Sequence, residues 1–197
     1  MAKKSKKKTI VEVKAPEMRP LGTEMRENGV LYMTGEFDEE KVLPLVQQIT
    51  EYNLMEDKVK PERITLFINS GGGVVFWAWM LIDAIKMSEI PVVTVGQGLV
   101  ASCGVLTLMA GDSRVCTHNT SIMSHTYSWG SAGKEGELMA KVKEFEMAST
   151  RMLEHYKKCT GKSERYIRKN LLHAHDEWMT PDEAKKYGII DEIWETY

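Results

Sequence analysis

Cysteine is scarce in this sequence, which has Cys103, Cys116 and Cys159 as its only three among 197 residues. Their spacing matches neither a metal-binding motif nor a redox pair, which argues against a site built on thiolates. An odd number of cysteines without a secretion signal predicts reduced thiols in a cytosol-like compartment. We therefore expect a cytoplasmic protein.

Long apolar runs are also missing from the sequence. A membrane-spanning helix needs about 18 or more consecutive apolar residues, whereas the segment 99–110 is shorter and contains Ser102 and Thr107. The N-terminal MAKKSKKK is basic, but no apolar stretch follows it, as a secretory signal would require. We expect a solvated N-terminal tail and no membrane partner.

The sequence also lacks an excess of positive charge. The net charge is −2, although five lysines lie in the first eight residues, so the rest of the chain is acidic. Such a chain offers no general basic surface for nucleic acid. With 43% hydrophobic and 27% charged residues, the composition is typical of one globular domain. We therefore divide the chain into a lysine-rich, irregular segment over 1–28 and a folded domain over 29–197.

Predicted strands and helices alternate along the folded part. Strands are predicted over 30–35, 63–69, 91–98, 113–118, 120–125 and 189–194. Helices are predicted over 38–55, 74–87, 101–111, 134–158, 163–172 and 181–187. The last helix follows a capping box, Thr180 with Glu183, and ends at Gly188. This alternation favours an α/β fold with mostly parallel strand pairing.

Two turns rich in small residues follow two successive predicted strands. The first is Ser70-Gly71-Gly72-Gly73 and the second lies in GLVASCGV, residues 98–105. At a strand-to-helix turn the first N–H groups of the helix are unpaired and can stabilise an anion, including one that exists only in a transition state. The first turn lacks the Lys-Ser/Thr of a phosphate-binding P-loop, and its glycine spacing is not a dinucleotide fingerprint.

The second turn contains two candidate nucleophiles, Ser102 and Cys103. A serine between a strand and a helix has the geometry of a nucleophile elbow, although the same position is often only a helix N-cap. His125, at the end of a predicted strand, would be a rigidly placed base, and Asp176 would orient it. Adjacent residues on one turn cannot both point at one base. We therefore expect Cys103 to turn inward and to offer only its N–H.

The chain order of these three residue types, Ser then His then Asp, differs from the orders in chymotrypsin, subtilisin and the α/β-hydrolases, so these folds are not supported. A metal site at His173 and His175 is a weaker alternative, because an i, i+2 histidine pair can chelate an ion from a strand. It follows a predicted helical stretch here and has no third ligand cluster in the sequence. We expect no metal.

Four segments of the chain, in this order, resemble the proteolytic subunit of the ATP-dependent Clp protease. They are LFINSGGGVV, GLVASCGV, NTSIMSH and DEWMTPDEAKKYGIIDEI, and the similarity extends from about Val30 to Trp194. The resemblance implies a crotonase/ClpP-like α/β fold, a superhelix of repeated β-β-α units with a protruding handle helix over 134–158. It also implies a serine endopeptidase that cleaves unfolded proteins and peptides inside a chamber of two stacked heptameric rings.

The resemblance assigns roles position by position. Ser102 matches the nucleophile, His125 the general base and Asp176 the acid that orients it. Gly72 and Cys103 match the two residues whose N–H groups form the oxyanion hole. No cofactor is implied, because ATP would be used only by a partner ATPase of the Clp family.

Departures from the family pattern affect the segments that should hold substrate, for which Gly73, Val74 and Ser128 are the expected residues. The departures are Gly71 in place of proline, Leu99 in place of glutamine and Thr126-Tyr127 in place of Gln-Pro. The N-terminal segment also lacks the family's apolar axial loop. These differences indicate a divergent member, viral or organellar.

Two other functions remain open from the sequence. One is a non-catalytic ring or scaffold subunit of a Clp-type complex that keeps the three residues without an ordered site. The other is a crotonase-type acyl-CoA enzyme, since that superfamily shares the fold and forms an oxyanion hole from two N–H groups.

Overall fold

The computed structural model describes residues 22–195. Most of the irregular segment predicted over 1–28 therefore lies outside the described residues. Within the described part of that segment, α1 (Thr23–Glu27) forms a short helix. The Tyr52 hydroxyl donates a hydrogen bond of 2.5 Å to the Arg26 carbonyl, which ties this helix to the folded domain.

The described chain forms one sheet of seven strands. They are β1 (Val30–Phe37), β2 (Ile64–Gly73), β3 (Val92–Ala101), β4 (Ser113–Thr117), β5 (Ser121–Ser124), β6 (Glu177–Met179) and β7 (Glu192–Trp194). The order β1-β2-β3-β4-β7 is parallel throughout. The predicted α/β fold with parallel pairing is therefore confirmed.

Strand β3 changes its neighbour halfway along its length. Its first half pairs with β4 over Val93–Gly96, and its last three residues pair with β5, all in parallel. Strand β5 in turn pairs antiparallel with β6, which places Ser124 opposite Glu177. The carboxyl ends of β3 and β5 therefore lie side by side.

Six further helices pack around the sheet. They are α2 (Glu39–Leu54), α3 (Val75–Met87), α4 (Cys103–Leu108), α5 (Glu135–Thr160), α6 (Glu164–Asn170) and α7 (Pro181–Tyr187). The predicted capping box of α7 is present, with the Thr180 side chain accepting from the Glu183 N–H. None of the helices within 22–195 is both long and apolar enough to cross a membrane.

The core lies between the sheet and helices α2, α3 and α4. All six residues of α4 are buried, and so are the inward side chains of β1 and β2, such as Met33, Phe37, Leu66 and Ile68. In contrast, the buried residues of α5 begin only at Ala148. The first half of this 26-residue helix therefore projects beyond the core, as the predicted handle requires.

Several predicted element boundaries are wrong. Strands β2 and β3 continue through 70–73 and 99–101, because residues of the first segment still pair with β1 and those of the second with β5. Helix α4 starts only at Cys103, and the last strand only at Glu192. Strand β6 was not predicted, since a strand of three residues is too short to show an alternating pattern.

Arg114 joins three parts of the structure. Its guanidinium pairs with both carboxylate oxygens of Asp191 and donates hydrogen bonds of 2.9 Å to the carbonyls of Cys159 and Gly188. Burial opposes ionisation of Asp191, but its hydrogen bonds with Arg114 outweigh this and lower the carboxyl pKa. The side chain therefore holds β4, the end of α5 and the segment before β7 together.

We expect Arg114→Ala to lower the free energy of unfolding by about 2–3 kcal/mol, because two partly buried carbonyls lose their guanidinium donor and Asp191 keeps only its bond from the backbone N–H of residue 114. Urea denaturation measures the loss. Arg168→Ala is the matched control, since Arg168 pairs with Glu164 on the surface of α6 and its removal should cost less than about 1 kcal/mol. An equal loss in both variants would contradict this role for Arg114.

Candidate active site

Ser102 occupies the sharp turn between β3 and α4. Its backbone has φ 54° and ψ −115°, and it is the one non-glycine residue with positive φ between 22 and 195. Such a conformation costs of order 1–3 kcal/mol and persists only when the surroundings enforce it. Here Ala101 and Cys103 are buried on either side, and the Ser102 N–H donates to the Met123 carbonyl at 2.9 Å. The strained serine of a nucleophile elbow has this geometry.

His125 follows directly after β5 and contacts the serine. Its Nε2 lies 2.8 Å from Ser102 Oγ, a hydrogen-bond distance. The preceding residue, Ser124, is buried and fixed by hydrogen bonds to the Tyr156 hydroxyl at 2.6 Å and the Leu171 carbonyl at 2.7 Å. The neighbouring ends of β3 and β5 therefore bring the predicted serine and histidine together.

Asp176 lies on the far side of the imidazole, but at a longer distance. Its Oδ1 is 3.9 Å from His125 Nδ1, which is too far for a hydrogen bond, and its side chain is 56% exposed. The pairing of Ser124 with Glu177 explains the approach, because it sets the residue before β6 beside the residue after β5. The third predicted residue is thus near the pair without being bonded to it.

Cys103 points into the core, as predicted. The residue is buried, and its Sγ donates to the Gly73 carbonyl at 3.4 Å. Burial raises the pKa of this thiol to about 11. Because the thiolate is the nucleophilic form of cysteine, Cys103 is a poor nucleophile at neutral pH.

The glycine turn places its N–H groups differently from the prediction. The Gly72 N–H, predicted to stabilise an oxyanion, instead donates to Ser70 Oγ at 3.1 Å, and Ser70 donates in turn to the Gly35 carbonyl. The structure therefore argues against Gly72 as an oxyanion donor. What Gly72 provides is space: it has φ 112°, and a Cβ there would lie 2.8 Å from the Ser102 Cβ.

Gly73 is the better placed donor of the two glycines. Its carbonyl accepts from Cys103 Sγ, while the next N–H, of Val74, turns the other way and bonds to the Phe37 carbonyl. The Gly73 carbonyl therefore lies on the side of β2 that faces Cys103, away from β1. The Gly73 N–H, unlike that of Gly72, is not bonded to Ser70.

The three residues expected to hold substrate are not equivalent in the structure. Gly73 borders the serine turn, whereas the Val74 N–H is already used by Phe37. Ser128 is exposed and lies in the irregular segment 125–134 between β5 and α5. The structure thus gives Val74 no free backbone donor for a substrate.

Two residues that position the site, Ser70 and Ser124, were not predicted from the sequence. Both serines are buried. The Ser70 hydroxyl fixes the glycine turn, and the Ser124 hydroxyl fixes the end of β5 just before His125. A serine before a glycine run often bonds its own backbone, and this signal could have indicated Ser70. The partners of Ser124 lie 32 and 47 residues away along the chain, so no local pattern could have found them.

A third candidate metal ligand accompanies the histidine pair, contrary to the expectation from the sequence. A third candidate ligand, Glu177, lies beside His173 and His175, with its Oε2 at 3.7 and 3.8 Å from their Nε2 atoms. The ligand atoms of all three lie within 4.8 Å of one another.

The fold and the Ser102–His125 pair together have the geometry of an α/β protein with a nucleophile-elbow serine. A sequence model of the Clp protease family matches residues 18–197, which is most of the chain. The chain therefore belongs to the Clp protease family, and the resemblance noted in the sequence is confirmed. Membership points to a peptidase-type subunit.

One curated relative is the ATP-dependent Clp protease proteolytic subunit 3, chloroplastic, of Arabidopsis thaliana. It is 32% identical to this chain over 147 residues, which is 74% of this chain and 47% of that protein. This chain thus spans about half the length of the relative.

We expect Cys103 to resist alkylation in the folded protein. With a pKa of about 11, only about 0.1% of the thiol is ionised at pH 8, and the side chain is buried. Iodoacetamide treatment followed by mass spectrometry should modify Cys103 only in denaturant, with the partly exposed Cys159 as internal comparison. Rapid modification of folded Cys103 would reopen the cysteine alternative.

Proposed function

We propose that this chain is a serine-type endopeptidase subunit with Ser102 as nucleophile and His125 as general base. The observation that carries the proposal is the 2.8 Å contact between Ser102 Oγ and His125 Nε2 at a strained strand-to-helix turn. The inward-pointing Cys103, with its raised pKa, supports serine over cysteine.

The chemistry follows from this geometry. Ser102 Oγ attacks the carbonyl carbon of a peptide bond while His125 Nε2 takes its proton. The N–H of Cys103, in the first turn of α4, and the N–H of Gly73 stabilise the negative oxygen that forms. His125 then donates the proton to the leaving amine. A water deprotonated by His125 hydrolyses the acyl ester and regenerates the serine.

Asp176 has the third role in this proposal. Its carboxylate would hold the Nδ1 proton of His125 and stabilise the imidazolium. The gap of 3.9 Å must close by about 1 Å for a hydrogen bond to form. The residue is exposed on a short segment before β6, where a side-chain rotation can supply that movement.

A second candidate function is a non-catalytic ring subunit of a Clp-type complex. The gap of 3.9 Å between Asp176 Oδ1 and His125 Nδ1 favours this function, because an Asp176 that never bonds His125 leaves the imidazole without an orienting acid. The match to the Clp protease family gives no support to an acyl-CoA enzyme. Labelling with a fluorophosphonate probe distinguishes an active serine from a silent one.

Self-association into stacked rings, a partner ATPase and unfolded protein substrates are part of the proposal. Exposed apolar side chains on α3 and on the projecting half of α5 support contacts between subunits; they include Phe76, Met87, Met139 and Met147. A closed chamber would limit access to a peptidase of low selectivity. Sedimentation of each sample used for activity assays tests the assembly.

We expect Ser102→Ala to lower peptide hydrolysis by at least about a thousandfold, because the nucleophile is lost. Fluorophosphonate labelling should disappear with it, while the sedimentation profile stays unchanged. Ser121→Ala, on the exposed side of β5, is the matched control and should keep wild-type activity. Equal hydrolysis in Ser102→Ala and wild type would refute the assigned nucleophile.

We expect Asp176→Asn to lower kcat by about two to four orders of magnitude with little change in stability. The amide cannot stabilise the imidazolium, and the exposed side chain contributes little packing. Asp182→Asn, at an exposed position of α7, is the control. Unchanged kcat in Asp176→Asn would mean that the 3.9 Å gap persists in the working enzyme.

A further inference from the structure

Three metal-binding side chains meet beside the candidate active site. The rings of His173 and His175 stack with centroids 4.5 Å apart and an angle of 14° between their planes. The carboxylate of Glu177 faces both rings along the same edge, at 3.7 Å and 3.8 Å from the two Nε2 atoms. All three residues come from one short segment, 173–177.

The three side chains are close to one another but do not form hydrogen bonds among themselves. Distances of 3.7–3.8 Å are too long for hydrogen bonds, so the carboxylate accepts from neither ring at these distances. Two imidazoles and one carboxylate are instead the ligand set of zinc sites that keep a fourth position open. Tetrahedral ligands about 2.0–2.1 Å from zinc lie about 3.3 Å apart. The Glu177 oxygen is therefore within about 0.5 Å of the required spacing. Because the lone pair of each imidazole lies in its ring plane, the two stacked rings must turn for both Nε2 atoms to point at one ion.

The donor set also selects among metal ions. Imidazole nitrogen suits zinc, copper and nickel, whereas magnesium and calcium prefer all-oxygen surroundings. We propose that His173, His175 and Glu177 bind a divalent transition-metal ion of the zinc type.

A metal ion at this site would also affect the position of the neighbouring Asp176. The His173 carbonyl accepts the N–H of Thr126 at 2.9 Å, next to His125, and Glu177 pairs with Ser124 in the sheet. A metal held by residues 173, 175 and 177 fixes the backbone on both sides of Asp176. This consequence for catalysis, unlike the binding itself, rests on the proposed peptidase function.

Calorimetric titration of the full-length Ser102→Ala protein with zinc chloride tests the site in the absence of catalysis. We expect one zinc ion per chain in this protein. His175→Ala in the same background should weaken binding by at least about tenfold, since a direct ligand is lost. The His175 side chain is 72% exposed, so its removal does not endanger the fold.

Two controls make the result specific. His118→Ala removes another exposed histidine outside the cluster and should leave zinc affinity unchanged. A tenfold excess of magnesium should not displace zinc. Zinc should also raise the thermal midpoint of the Ser102→Ala protein but not that of its His175→Ala derivative.

Equal zinc affinity with and without His175, or no zinc binding at all, would overturn the proposed site. These readouts do not depend on hydrolysis, so the site can fail while the peptidase proposal stands, and the reverse. In the active protein, zinc should change the hydrolysis rate of wild type and not of His175→Ala. An equal change in both would overturn the coupling to Asp176.

Discussion

The pairing of β5 with the last three residues of β3 is the constraint on which the site depends. Parallel strands end at the same edge of a sheet. The pairing of β3 with β4 stops at Gly96, before the chain reaches Ser102, and β3 pairs with β5 from Leu99 onward. The place next to the serine is then taken by β5, which His125 follows directly. A hydrogen bond between the Ser102 N–H and the Met123 carbonyl extends this pairing into the turn itself.

Buried hydroxyl groups hold the ends of these strands in place. Ser124 links β5 to the fully buried Tyr156 of α5, and Ser70 occupies the Gly72 N–H inside the glycine turn. Each hydroxyl bonds polar atoms of the buried backbone or side chains. Without that bond, each of these atoms would destabilise the fold by about 1–3 kcal/mol. The serine and histidine are therefore set by the packed interior of the domain. Asp176 lies on an exposed segment and has no such support.

The segment 173–177, exposed at residues 174–176, is the least buried part of the site. It carries Asp176 between two candidate metal ligands and meets the rest of the domain through the Thr126 N–H and the short strand β6. In the proposed mechanism, the distance between Asp176 and His125 is therefore the part of the site that is still open. A ligand bound to this segment would act on the distance between Asp176 and the imidazole.

The sequence by itself determined the α/β class and most of the strands and helices, and it indicated the serine and histidine that meet in the structure and the aspartate near them. Alternating apolar segments, the capping box at Thr180 and the small residues around Ser102 are local signals, and they depend on neighbours along the chain. Only the tertiary structure decided that the Gly72 N–H is occupied, that Gly73 faces Cys103, and that Glu177 joins the two histidines. The partner of the Gly72 N–H depends on the rotamer of the Ser70 side chain, and the contact between Gly73 and Cys103 depends on the packing of β2 against α4. The meeting of Glu177 with the histidines depends on how 173–177 folds back at the sheet edge, and residue spacing does not encode this.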